Sequence, residues 1–255
     1  MHRRRYTARV PLKRERAFIL SAIPLREKDR IVTFLTEHSG KKRAVARGAR
    51  RLQSAFAGAL EPMSRGEVLY FEKEGRDLHQ IDSIEIERSS FALAGELASG
   101  LLLSAIAESL ITFVADSDPS EKFFRLAAHA LDALFAGAHP ASVAVYFDAW
   151  ILRLTGVLPG LSSCAVCERP LSGEILFDET LPGFVGRECA APGARRISRE
   201  LAEGLAAILS KPLGAFDVPP RAELEIAGVL GRVRRHFLGH ELKSQAVLAE
   251  VLPGR

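Results

Sequence analysis

The sequence predicts an α+β chain: a five-stranded barrel of the OB-fold type, then an α-helical domain carrying a zinc-ribbon-like insert. Three observations predict it. Through residue 88 the apolar residues fall in short alternating runs punctuated by turns; from residue 89 their spacing becomes helical; and all three cysteines lie in a short turn-rich stretch between residues 160 and 195. The boundaries read from this are 1–88 for the barrel, 89–159 with 196–255 for the helical domain, and 160–195 for the insert. A chain of 255 residues, 47% hydrophobic and 26% charged, has room for such cores.

Five strands are expected in order. Residues 17–23 form a β-rich run ended by Pro24, and 30–36 a second, ended by the Ser39-Gly40 turn. Residues 41–47 make the third, and 67–72 and 78–86 the last two, joined around Gly75 as a hairpin. The longer connection between the third and fourth fits an OB-type barrel, although an SH3-like barrel satisfies the same count.

The third strand and its loop place Lys41, Lys42, Arg43, Arg47, Arg50 and Arg51 within eleven positions, with no acid among them. Alternation puts Lys41, Arg43 and Arg47 on one face and Lys42, Ala44 and Ala46 on the other, so that small residues fill a narrow barrel and cations look outward. Phe56, in the loop beyond Arg51, is the expected base-stacking residue. Phe18, Phe34, Tyr70 and Phe71 lie inside β-runs and are expected in the core. Arg26, Lys28 and Arg30 are diluted by Glu27 and Asp29, and local neutralisation is expected there.

A cationic run alone is as often a solvated face, but the charge of this chain is distributed unevenly. Residues 1–83 carry 19 Lys and Arg against 10 Asp and Glu, whereas the remainder carries 16 against 21. A basic front on a slightly acidic body points to nucleic acid. No basic amphipathic helix with exposed aromatics suggests a membrane surface, and no apolar run reaches the ~20 residues of a spanning helix. The basic start, Met1 to Tyr6, lacks the apolar core of a secretory signal, so a cytoplasmic protein without disulfides is expected.

Residues 91–114 are apolar nearly all round and read as one buried helix. Asp118-Pro119 is the expected cap of a helix running to about Phe135, and His139-Pro140 opens another that closes at Gly156. Ser198 is expected to cap a helix over 199–209; Pro219-Pro220 starts the next, with Ile226, Leu230, Val233 and Phe237 as its buried stripe. Arg232, Arg234 and Arg235 flank that stripe, either to complement the helix dipole or to touch DNA or an acidic tail. Asp148 reads as a salt-bridged structural group, and no catalytic constellation accompanies it, His129 or His139; the chain is not expected to be an enzyme.

Cys164 and Cys167 form a CxxC knuckle, and a zinc ribbon needs a second one near residue 186. The chain has Gly186 and Cys189 there, which leaves three thiols. Two outcomes follow: no metal, with a ribbon folded around Leu176, Phe177 and Phe184, or weakly held zinc completed by water, Asp178 or Glu188.

The runs Lys28 to Thr36, Ala44 to Arg51 and Gly58 to Pro62 resemble the amino-terminal domain of the bacterial RecO family, and the resemblance continues to the closing segment His236 to Ser244. The resemblance implies an OB-fold whose basic stretch binds single- and double-stranded DNA, and a helical body that engages partners. It implies strand annealing and recombinase loading in recombination and repair of DNA damage, together with RecR, the carboxyl tail of single-stranded-DNA-binding protein (SSB) and, in some bacteria, RecF. It also implies a CxxC pair, of which Cys164, Cys167 and Cys189 match three positions and Gly186 stands at the remaining one. An RNA- or ribosome-associated OB protein, or a scaffold that recruits acidic partners, fits the same barrel and charge.

Overall fold

The computed structural model describes residues 11–51, 53–72, 75, 77–116, 119, 121–178, 180 and 183–252. The chain divides into two compact units: one runs through Ala92 and includes Val114–Phe124, the other holds Leu93–Phe113 and Arg125 onward. Segment 114–124 thus groups with the barrel, where the sequence boundary at residue 88 assigned it to the helices. The expected Asp118 cap and the basic start lie outside the described residues.

In the first unit, β1 (Leu12–Leu25), β2 (Asp29–Thr36), β3 (Lys41–Ala46), β4 (Arg65–Phe71) and β5 (His79–Arg88) close into a barrel in the order β1-β2-β3-β5-β4. Every pairing is antiparallel except β3 with β5, and β4 returns to β1. This is the OB-fold barrel.

β1 begins five residues before the apolar run suggested, because its first half is a charged strand held by ions across the sheet. Arg14 pairs with Glu67 and Glu85, Lys13 with Glu72, and Arg16 with Glu37 and Glu87. A bulge between Ile19 and Ser21 bends the strand, so that residues 12–18 pair with β4 and 17–25 with β2. Gly66 sits at a shift in register between β4 and β5, and a Cβ there would lie 2.3 Å from the Glu85 carbonyl oxygen.

The barrel core combines Ala17, Ile19, Val32, Phe34, Ala44, Ala46, Val68, Tyr70 and Ile81 with Phe56 from the loop. Each large apolar side chain fully buried here contributes about 1.5–3 kcal/mol. Tyr70 is fully buried and donates its hydroxyl to Glu15 at 2.8 Å; burial first, then that hydrogen bond, moves its pKa well upward. Phe124, from the returning segment, packs its ring 4.9 Å from Phe18, with the Arg16 guanidinium above it at 5.7 Å.

The helical elements are α1 (Phe91–Ala94), α2 (Leu97–Phe113), α3 (Glu121–Phe135), α4 (Pro140–Leu154), α5 (Arg199–Ser210), α6 (Pro220–Leu238) and α7 (Lys243–Val251). In the second unit α2 packs on α4 and α7, and α4 on α5 and α6. The single helix expected over 91–114 is interrupted at Gly95-Glu96, where the Glu96 carboxylate accepts from the Ser99 hydroxyl at 2.8 Å in the first turn of α2. His139 and Ser198 cap α4 and α5 as their positions suggested, accepting from Ala141 N and Leu201 N. In the α6 stripe Ile226, Leu230 and Val233 are buried, but Phe237 is 59% exposed and stacks on Phe113 at 6.0 Å.

Asp148 is salt-bridged, as its surroundings suggested. Its carboxylate meets Arg234 at 2.9 Å and accepts from Gln245 at 3.2 Å, and Arg234 also reaches Glu241 at 3.1 Å. Burial opposes the Arg234 charge, but the two carboxylates outweigh it and move its pKa up. Among the described residues no helix is long and apolar enough to cross a membrane.

Candidate nucleic-acid interface

The basic stretch divides by burial. Arg43, Arg47, Arg50 and Arg51 are exposed, while Ala44 and Ala46 face the core, as strand alternation requires. Lys41, which alternation sends outward, is instead buried at 9% exposure and pairs with Asp116 at 3.2 Å in the segment that returns to the barrel. Lys42 is buried too, and meets Glu72 at 3.0 Å. That hydrogen bond, more than any other influence, holds the Glu72 carboxyl below its usual range.

Phe56 is not available for stacking. It is 7% exposed and belongs to the barrel core, because its loop packs inward, with Ala49 and Leu60 also against that core. Two short hydrogen-bonded turns, Ala57 N to Ser54 O and Ala59 N to Phe56 O, turn the chain there.

The turn between β1 and β2 joins the cationic surface, which its local sequence concealed. Asp29 accepts from the Gly48 backbone N–H at 2.8 Å, so one of the two diluting acids is committed to shaping the loop, and Gly48 takes the left-handed φ of +69°. Arg50 N donates to Lys28 O at 3.0 Å and the Arg50 guanidinium to Arg26 O at 2.9 Å. These bonds set exposed Arg26 and Lys28 beside Arg50, while Arg30 turns inward to the Ala22 carbonyl at 2.8 Å. The signal in the sequence was Asp29 itself: an Asx residue beside a strand start is as often a loop organiser as a free charge.

The ribbon is a three-stranded antiparallel sheet, β7-β6-β8, of β6 (Ile175–Asp178), β7 (Gly183–Gly186) and β8 (Arg195–Arg196). Phe177 and Phe184 pack edge to face at 5.7 Å as its core. The knuckle closes by Glu168 N to Cys164 O and Cys164 N to Arg169 O, and Ala165 N ties it to Phe184 O. The sulfurs of Cys164, Cys167 and Cys189 lie within 4.8 Å of one another. Backbone N–H groups, of Cys167 first and then of Gly186 and Val166, lower the Cys164 thiol to about 6. Hydrogen bonding to Cys167 and Cys164 pushes Cys189 up to about 11.

Three converging sulfurs, one of them readily ionised, suit a thiophilic cation, and these residues could hold a metal ion. Of the two carboxylates suggested as completing ligands, Asp178 accepts from Thr180 N, Thr180 Oγ1 and Ala191 N, whereas Glu188 lines the same pocket as the sulfurs.

Both halves of the chain match known sequence. The amino-terminal profile of Recombination protein O matches residues 11–90, and the carboxyl-terminal profile matches residues 95–246. The chain belongs to the RecO family. A protein of Anaeromyxobacter sp. strain K named DNA repair protein RecO is 34% identical over 247 residues, covering 92% of this chain and 95% of that protein. One of the same name from Bifidobacterium adolescentis is 33% identical over 254 residues, covering 94% and 100%. RecO membership places the chain in DNA repair and recombination.

Proposed function

We propose that this RecO-family chain is a non-catalytic mediator that binds single- and double-stranded DNA through its barrel, anneals complementary strands and assists recombinase loading on strands coated by SSB. Its partners in this reading are RecR, the carboxyl tail of SSB and, in some bacteria, RecF, and it works in the cytoplasm at the nucleoid. One observation carries the DNA-binding step: Arg43, Arg47, Arg50 and Arg51 stand exposed along one strand and loop of an OB barrel, with Arg26 and Lys28 drawn beside them. Arginine forks match phosphate oxygens without reading bases, and annealing requires charge neutralisation of that sequence-independent kind. Lys41 and Lys42, committed to Asp116 and Glu72, serve the barrel and not the phosphates. The cysteine cluster has a structural part, holding zinc weakly and exchangeably, since a closed site takes four ligands.

The experiment is a salt titration of single-stranded DNA binding by the full chain. Each phosphate contact adds about 0.7 to the slope of log affinity against log salt, so the R43S/R47S/R51S variant is expected to lose roughly two units of slope. An unchanged slope and affinity would sink the reading. An RNA competitor preferred over DNA at equal length would move the function to RNA.

A further inference from the structure

Within the second unit, five arginines line one cleft of about 640 Å³: Arg195, Arg196, Arg199, Arg221 and Arg232. They come from β8, the first residue of α5 and one face of α6, separate stretches that the fold brings together. We propose that this cleft is a second binding site for a nucleic-acid backbone, so that one molecule holds two strands at once. This rests on the barrel reading for its first strand, and adds a site for the other.

The charge is suited to exchange. Glu200 and Glu225 also line the cleft, and its arginines meet carboxylates, among them Arg196 with Glu174 at 3.3 Å, Arg199 with Glu203 at 2.7 Å and Arg221 with Glu225 at 3.5 Å. Those three side chains remain 76%, 86% and 92% exposed, and ion pairs in water contribute little. A phosphate accepting two N–H bonds from a guanidinium fork displaces such a carboxylate at small cost. Glu225 is further occupied by the Ser198 hydroxyl at 2.6 Å, which keeps it on the wall of the cleft.

The shape favours a polymer of phosphates over an acidic peptide. An acidic protein tail needs a socket for its apolar side chains, but Phe177, Leu201 and Val229 in this cleft are each no more than 2% exposed. The Arg232 guanidinium lies over the Phe177 ring at 5.7 Å and closes that floor. What the cleft offers is guanidinium forks spread over a volume larger than one phosphate needs.

The test uses the full chain and two oligothymidylates of about 15 nucleotides, the upper end of one OB site, one carrying a donor dye and one an acceptor. Because the strands are not complementary, energy transfer between them reports two strands on one complex. Wild-type protein is expected to give transfer. The R196S/R199S/R221S variant is expected to bind one strand, by anisotropy, with transfer at the protein-free level, and to anneal complementary strands on the order of 100-fold more slowly, since the intramolecular encounter is lost. The charge-preserving R196K/R199K/R221K variant, with the forks removed, should fall between.

All three positions are exposed, and an unchanged unfolding midpoint followed through Trp150 shows that the variants fold. A serine variant that still gives full transfer overturns the proposal. So does one that keeps both strands and loses only a polyglutamate peptide, which would make an acidic protein the occupant. A barrel variant, R43S/R47S/R51S, that still holds two strands overturns the barrel reading and leaves the cleft standing.

Discussion

Replacing Asp148 by Asn is expected to destabilise the helical unit severely. The substitution keeps the shape of the side chain and removes its charge from beside Arg234, whose side chain is 7% exposed and whose other carboxylate, Glu241, is 32% exposed. Breaking a buried pair costs about 3–5 kcal/mol because the remaining charge is stranded, and the surviving Glu241 contact places the loss near the lower end, at about 3 kcal/mol. For a chain of this length that corresponds to a midpoint shift of roughly 6–12 °C. The assay is urea and thermal unfolding followed by fluorescence of Trp150, the single tryptophan, whose indole donates to Ile208 O at 3.1 Å within the same unit. A double variant, D148L/R234M, replaces both ions by apolar groups and is expected to return to within about 1 kcal/mol of wild type. A loss below about 1 kcal/mol in the Asn variant would refute the reasoning, as would a double variant no more stable than the single one.

Three further outcomes follow from the barrel and the ribbon. Phe56→Ala is expected to destabilise the barrel by about 3–5 kcal/mol by emptying part of its core, whereas Phe56→Leu should leave DNA affinity nearly unchanged; a selective loss of affinity in a fully stable Leu variant would restore the stacking role. Gly186→Cys puts a fourth thiol at the cluster, where a Cβ meets nothing nearer than Leu171 at 3.9 Å, so chelator competition should show one zinc held far more tightly than by the parent chain. Because the folded state depresses the Glu72 carboxyl, its pair with Lys42 stabilises the barrel above the ordinary carboxylate range and is lost as pH falls below it. Acid unfolding of a Glu72→Gln chain should therefore show a shallower dependence on pH through that window, and equal slopes would refute the assignment.

The strands were legible where apolar residues alternate, and the helices where Ser198, His139 and Gly156 mark their ends. Pairing was not, because the parallel contact of β3 with β5 and the closure of β1 on β4 depend on residues about thirty to sixty positions apart. The charged first half of β1 carries no apolar signal; its order comes from acids on β4, β5 and beyond β2. Lys41 and Arg43 look alike in the strand pattern, and only the distant Asp116 separates the buried one from the exposed one. Phe56 read as a surface aromatic because loops usually run outside, and this one sends its aromatic ring into the barrel core. The missing fourth cysteine was plain from spacing alone, whereas the five-arginine cleft was not, since its members are scattered from residue 195 to residue 232.

The excursion of the chain that leaves the barrel at Ala92 and brings residues 114–124 back to it has a consequence for biosynthesis. A ribosome that has made only the five strands has not yet supplied Asp116 for the Lys41 ammonium or Phe124 for the Phe18 ring. The amino-terminal unit therefore completes its packing only after α2 has emerged, although domains generally fold in the order of their synthesis. A gene fragment ending near codon 90 would then yield a barrel that lacks the Asp116 carboxylate beside Lys41 and the Phe124 ring beside Phe18, and one extended past codon 124 would supply both.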